Sequence, residues 1–313
     1  RQDHAGPAAV TILVGYPPNL QGRSAVELGA MLARSTGSDL VVCSIVPAPW
    51  LPGGTQVDAE YLADMVGLAD RALDRARSEA PADVPVSYVR LQARSGASGL
   101  LRAAEEHGAS MIVLGSSTAG VFGHITMSSV ASRLLHSSPI PIALATRGFR
   151  CAESEKVRRI TVAYGGSQRD EALVGAARHV ASQVDASLRL ALLAVQARPP
   201  VTARFGVEAD DVVAVWTADM QASARHALQA HAPQTVESDP MEIVVGHGSR
   251  WGEALDSIGW APGDVLTVGS GSAGPFARVF LGSRAAKIIR DSPVPVVVVP
   301  RARAGELAQA DRA

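Results

Sequence analysis

The sequence predicts an α/β protein built as two tandem doubly wound domains, each a five-stranded, mostly parallel sheet with helices on both faces. Three observations carry this. Apolar strand-like runs alternate with helical patterns along the chain, the order that builds parallel sheets through right-handed crossovers. The strand runs are continuously apolar, as expected when helices cover both faces of a sheet. The whole series of elements also occurs twice. A chain of 313 residues has room for two domains of ordinary size.

The repeat can be followed element by element. Val10-Thr11-Ile12-Leu13-Val14-Gly15-Tyr16 returns 148 residues later as Arg158-Arg159-Ile160-Thr161-Val162-Ala163-Tyr164. A helical pattern follows each, Ser24 to Ala33 and Ala172 to Ala181, and then a second strand, Asp39 to Val46 and Ser187 to Val195. Later the offset is 154: Ala109 to Ser116 matches Gly263 to Ser270, and Ser137 to Leu144 matches Asp291 to Val298. About six extra residues therefore enter the second copy after its second strand, near Arg198-Pro199-Pro200. These stations place domain 1 at residues 1–148, a polar linker at 149–157, domain 2 at 158–300 and a loose C-terminal tail at 301–313.

Composition excludes several classes. A formal net charge of −1 gives no reason to expect nucleic acid or an anionic membrane as partner. Apolar runs such as Val294 to Val299 are far too short to span a bilayer. Arg1-Gln2-Asp3-His4 shows no signal-peptide pattern, and Cys43 and Cys151 suit a reducing compartment, so a cytoplasmic location is expected. His226 and His231 stand five apart with no cysteine beside them, so no metal site is expected. No G-x-S-x-G elbow occurs, and no catalytic residue is assigned.

The stretch from Asp264 to Ser283 carries the most chemistry. Gly269-Ser270-Gly271-Ser272-Ala273-Gly274 is a literal G-x-G-x-x-G after an apolar strand. A dinucleotide fingerprint, however, belongs to the first strand–helix turn and needs an acid at the end of the next strand. Here it follows a fourth strand, and Asp291 precedes the next strand instead. Another spacing fits both copies: Gly269, two residues, Ser272, nine residues, Gly282-Ser283; and Gly115, two residues, Thr118, nine residues, Ser128-Ser129. Glycines admit a phosphate close to the backbone, and consecutive N–H groups with a helix N-terminus form a cradle for it.

On this spacing, and on the closing strands that begin Ser138-Pro139-Ile140-Pro141 and Ser292-Pro293-Val294-Pro295, the sequence resembles the universal stress protein family from about residue 10 to 145 and again from about 158 to 300. The resemblance implies ATP or another adenine nucleotide at Gly165, Gly166, Ser167, Gly269, Ser270, Ser272, Gly282 and Ser283 of domain 2. It implies a weaker counterpart in domain 1 at Gly115, Ser116, Thr118, Ser128 and Ser129. The family's aspartate after strand one is replaced by Pro17 and by Gly165, its second glycine by Thr118 and Ser272, and its third by Ser128 in the first copy alone. At roughly 1–3 kcal/mol per loss, domain 2 gives up about two to three decades of affinity and domain 1 more. The resemblance also puts the loop Gly246 to Glu253 near the site, offering His247 and Arg250. Ser167 reads as a helix N-cap after a turn. Trp50, Trp216 and Trp251 read as packing residues.

A stress-linked regulatory role follows from the resemblance, with an unidentified protein partner and an internal pseudo-dimer of the two domains that leaves room for a further homo-dimer. Two other readings stay open: a nucleotide-free interaction scaffold with decayed sites, and a slow ATP-hydrolysing enzyme.

Overall fold

The computed structural model describes residues 10–18, 22–48, 56–117, 119–195, 209–230, 242–272, 279–280 and 282–310. It divides into two compact units, Arg1–Lys156 and Val157–Ala313. The first runs β1 (Thr11–Gly15), α1 (Arg23–Thr36), β2 (Asp39–Pro47), α2 (Gln56–Glu79), β3 (Val86–Ala93), α3 (Gly96–Glu106), β4 (Ala109–Leu114), α4 (Ser129–Ser137) and β5 (Ile142–Leu144). These strands lie parallel in the order β3-β2-β1-β4-β5. Strand order reverses between β1 and β4, so the crevice beyond their carboxyl ends is the natural ligand position.

The second unit repeats this with β6 (Arg159–Ala163), α5 (Gln168–Gln183), β7 (Ser187–Val195), α6 (Ala209–Ala230), β8 (Glu242–Gly248), α7 (Trp251–Asp256) and β9 (Asp264–Gly269). A small antiparallel pair, β10 (Gly271–Ser272) and β11 (Val279–Phe280), then precedes α8 (Ser283–Asp291), β12 (Val296–Val299) and α9 (Arg301–Ala310). Its parallel order is β12-β9-β6-β7-β8, with the switch between β6 and β9. The extra residues of the second copy fall between β7 and β8.

Each unit covers its first helix with chain that follows its last strand. In the first, α1 is buried continuously from Ala25 to Ala33, and a helix buried all round needs a cover on its outer side. The cover includes residues 150–155. The Cys151 thiol lies 3.3 Å from Glu27 O. Arg34 donates to Glu155 O at 3.4 Å and to both carboxylate oxygens of Asp83 at 2.6 and 2.9 Å. Of the linker expected at 149–157, residues 149–156 thus fall in the first compact unit and Val157 in the second. In the second unit, residues 301–310, expected within a loose tail, form α9 instead. It packs on α5 and buries Ala304 and Ala308, one turn apart. Residues 311–313 lie outside the described part.

The two cores differ. In the second unit Arg189, 1% exposed, stands inside β7. Its Nε donates to Thr161 Oγ1 at 3.0 Å, and Nη1 donates to Ile258 O at 3.1 Å and Gly259 O at 2.9 Å. The guanidinium lies over the Trp260 ring at 4.8 Å. Asp264, also buried, stands 3.9 Å from Arg189 Nη2 and accepts from Arg159 Nε at 3.0 Å. Burial pulls the Arg189 pKa down from its ordinary value, and the carboxylate opposes that pull. The repeat-related positions in the first unit are Val41, Leu13 and Ser110, a largely apolar set. Among the described residues no helix is long and apolar enough to cross a membrane.

Candidate ligand cavity in the second unit

A cavity of about 290 Å³ opens beyond the carboxyl ends of β6, β7 and β9. Its walls include Gly165, Asp170, Trp216, Trp251, Gly282 and Arg284. Each arrives there for a local reason. At the end of β6, Tyr164 is buried and its hydroxyl lies 2.9 Å from Ser223 Oγ of α6. Burial raises its pKa, so the ring serves as a neutral floor. The chain then turns through Gly166 at φ 79°, a conformation that glycine adopts without cost. A Cβ there would also meet Met220 Cε at 2.7 Å.

The turn is closed by a carboxylate. Asp170, in the first turn of α5, accepts through Oδ2 from Gly165 N at 3.1 Å, Ser167 N at 3.0 Å and Ser167 Oγ at 2.8 Å. The two N–H groups are backbone donors that the glycine-rich turn would otherwise offer to an anion. The structure thus returns a carboxylate to the cavity from five residues beyond Gly165, where the strand end itself has none.

Opposite lies the start of α8. Gly282 is its N-cap, at φ −62° and ψ 152°, and supplies no side-chain acceptor for the first-turn N–H groups. A Cβ on Gly282 would meet nothing within 4 Å. Arg284, in that first turn, reaches back toward the other wall. A Cβ built on Gly165 would lie 3.4 Å from Arg284 Nη1 and 3.2 Å from Asp170 Oδ2. The space where a side chain at position 165 would begin is therefore crowded by this charge pair.

Of the residues expected at the second-domain site, Gly165, Ser167, Gly269 and Gly282 line the cavity together. Gly166, Ser270 and Ser283 adjoin lining residues in sequence without lining it themselves. Ser270 N donates to Val299 O at 3.1 Å, and Ser283 is exposed. Ser272 lies in β10, opposite Val279. His247 and Arg250 do not line the cavity: His247 N is bonded to Ser257 Oγ at 3.0 Å, and the Arg250 side chain is 85% exposed. Their neighbour Trp251 lines it instead. Trp216, likewise expected as packing, is exposed and lines the cavity. Trp50 lies outside the described residues.

The first unit closes the same region on itself. Ser116 Oγ accepts Thr126 N at 2.7 Å, and Ser117 N donates to Thr126 O at 2.8 Å. Arg147 donates through its side chain to Gly120 O. Ser128 caps α4, its Oγ accepting Ala131 N at 3.1 Å. The donor that a phosphate would use there is already occupied. Val130, placed like Arg284 two residues after its cap, packs against Gly96, whose Cβ position is 2.9 Å from Val130 Cγ2. Gly115 keeps room around it, Ser129 is exposed at the start of α4, and Thr118 lies outside the described residues. Among the described residues no cluster of three or more His, Cys, Asp or Glu could hold a metal ion.

Comparison with known proteins agrees with this doubled arrangement. The profile of the universal stress protein family matches residues 10–145 and 156–300. The chain belongs to the universal stress protein family. It is 35% identical over 296 residues to universal stress proteins of Mycobacterium tuberculosis and Mycobacterium bovis, covering 93% of this chain and 100% of theirs. Among solved structures, a universal stress protein of Archaeoglobus fulgidus matches with a TM-score of 0.62 at 21% identity, over 92% of this chain and 98% of that one. A putative universal stress protein of Pseudomonas aeruginosa matches at 0.56 and 15%, over 98% and 99%. These structural likenesses support the α/β fold. As a universal stress protein the chain carries two domains with unlike strand-end sites, one self-capped and one open.

Proposed function

We propose that this universal stress protein is a stress-response regulatory protein, cytoplasmic in location, whose second domain binds an adenine nucleotide weakly. One observation carries the reading: the first turn of α8 has no side-chain cap at Gly282 and faces a cavity at the strand-order switch, with Arg284 beside it. A helix N-terminus favours phosphate through its unpaired N–H groups and its dipole. Trp216 and Trp251 line the cavity, and aromatic rings of this kind can stack on a base. The expected affinity is tens of micromolar or weaker, as losses at Gly165 and Ser272 would give. The test is calorimetric titration of the whole chain with ATP, AMP and cyclic AMP, beside mass spectrometry of nucleotide carried through purification. Saturable binding by any of the three supports the proposal, and none by all three overturns it.

The scaffold reading draws on a different observation: Asp170 already occupies the N–H groups of Gly165 and Ser167 and places a negative charge in the cavity. Absence of binding in the same titration would favour it. An internal pseudo-dimer belongs to the proposal as well, supported by the short apolar last strands β5 and β12, each preceded by a proline, Pro141 and Pro295. Halves of a chain cut between residues 149 and 157 should then co-elute in gel filtration. Halves that separate would contradict it.

A further inference from the structure

We propose that the second-domain cavity prefers a singly phosphorylated nucleotide to a triphosphate, with Arg284 holding the phosphate and Asp170 turning further negative charge away. This rests on the nucleotide reading of the cavity and adds which nucleotide it takes and through which side chains. Among the described residues the charges on its walls are few. Arg284 contributes one positive charge and the start of α8 about half of one. Asp170 contributes a negative charge on the same side as Arg284, since their side chains reach to 3.2 and 3.4 Å of the point where a Cβ on Gly165 would stand. The sum suits one phosphate and leaves a second or third facing a carboxylate. Lys287, one turn further along α8, is exposed and does not line the cavity.

Hydrogen-bond supply points the same way. A triphosphate needs donors along its length, and the turn at 165–167 has spent two N–H groups and the Ser167 hydroxyl on Asp170. A ribose hydroxyl or a base amine, being a donor, can use the same carboxylate. Among the described residues Asp170 Oδ1 has no donor, so it can accept one. The volume, about 290 Å³, lies at the small end of ligand pockets, which run from about 300 to 1,000 Å³. The repeat-related residues of the first unit, Val130 for Arg284 and Gly22 for Asp170, could supply none of this.

The experiment titrates the whole chain with adenosine, AMP and ATP, first as it is and then as Arg284→Ala, Arg284→Lys and Asp170→Asn. In the parent, AMP should bind about tenfold more tightly than either adenosine or ATP, the scale of one nearby charge interaction. Arg284→Ala should bring AMP down to the level of adenosine and leave adenosine unchanged, while Arg284→Lys keeps part of the gain. Asp170→Asn should raise ATP relative to AMP severalfold. ATP binding more tightly than AMP in the parent would overturn the proposal, as would an Arg284→Ala protein that binds AMP as the parent does or loses AMP and adenosine equally. A parent that takes none of the three would instead remove the nucleotide reading beneath it, and that result is read before any variant.

Discussion

Ser128 and Gly282 occupy the same place in the two units, and the contrast between them runs through both sites. Ser128 turns its hydroxyl onto Ala131 N and completes α4 by itself. Gly282 has no side chain to do so, and α8 begins unfinished beside a cavity. Two residues on, Val130 packs against Gly96 while Arg284 reaches toward Gly165. The same element thus has a side-chain cap in one copy and none in the other. The cores divide similarly, since an apolar set in the first unit stands where Arg189, Thr161 and Asp264 form a polar cluster in the second. The two units share an order of elements and differ in the chemistry at corresponding positions.

The core offers the largest effect. Asp264→Ala leaves the buried Arg189 without its neighbouring carboxylate and takes from the half-buried Arg159 its nearer partner, leaving it Glu242 at 3.7 Å, and should destabilise the second unit by about 3 kcal/mol. Ser110→Ala, the corresponding change in the first unit, removes a hydroxyl bonded to Thr11 O at 3.3 Å and should cost below about 1 kcal/mol. Urea denaturation followed by tryptophan fluorescence reads the second unit through Trp216, Trp251 and Trp260, and far-UV circular dichroism on the same samples adds the first unit, which holds Trp50 alone. Equal losses from the two changes would dissolve the contrast between the cores.

Exchanging the caps sharpens the contrast between the sites. Ser128→Ala should cost the first unit about 1 kcal/mol and leave nucleotide binding alone. Gly282→Ser should stabilise α8 by a few tenths of a kcal/mol and weaken binding, by giving the second unit the internal cap of the first. Thermal unfolding and calorimetry on each variant separate the two effects. A Gly282→Ser protein with undiminished affinity would show that the start of α8 is not where a ligand sits.

A smaller effect marks the first unit through Cys43. Burial in β2 pushes its thiol up to about 12, against about 8.5 in an unfolded chain. The folded state therefore holds this proton where the unfolded state has lost it. Its contribution is complete below about pH 8.5 and is lost as the pH rises from there toward 12. Alkylation at pH 8 should modify the half-buried Cys151 and spare Cys43 until urea opens the first unit, as peptide mass spectrometry would record. Rapid modification of Cys43 in the native protein would contradict its burial.

Much of this fold was legible in the sequence because continuous apolar runs and a repeated order of elements depend on backbone patterning alone. Segments read from polarity were less so. Residues 301–310 look like a tail because Arg, Ala and Glu dominate them, and the two alanines that seat α9, Ala304 and Ala308, are too small to give an apolar signal. The site was half legible. Gly165, Ser167, Gly269 and Gly282 follow from motif spacing and converge on the cavity. Asp170 was hidden because a carboxylate was sought at the end of β6, whereas the first turn of α5 brings one back from further along. Arg284 was masked by the Gly-Ser pair before it, and Trp216 comes from a helix distant in sequence. His247 and Arg250 drew attention as charged loop residues, but the turn into α7 aims Trp251 at the cavity in their place.

The account turns on one binding site per chain, at the start of α8. Calorimetric titration of AMP into the parent, Gly282→Val and Ser128→Val tests it most directly. A Cβ at 282 meets nothing within 4 Å among the described residues, and thermal unfolding of the variant beside the parent separates a loss of ligand from a loss of fold. The predicted result is one site in the parent, none with Gly282→Val, and one of unchanged affinity with Ser128→Val. Two equal sites in the parent, undiminished binding by Gly282→Val, or loss on Ser128→Val would contradict it.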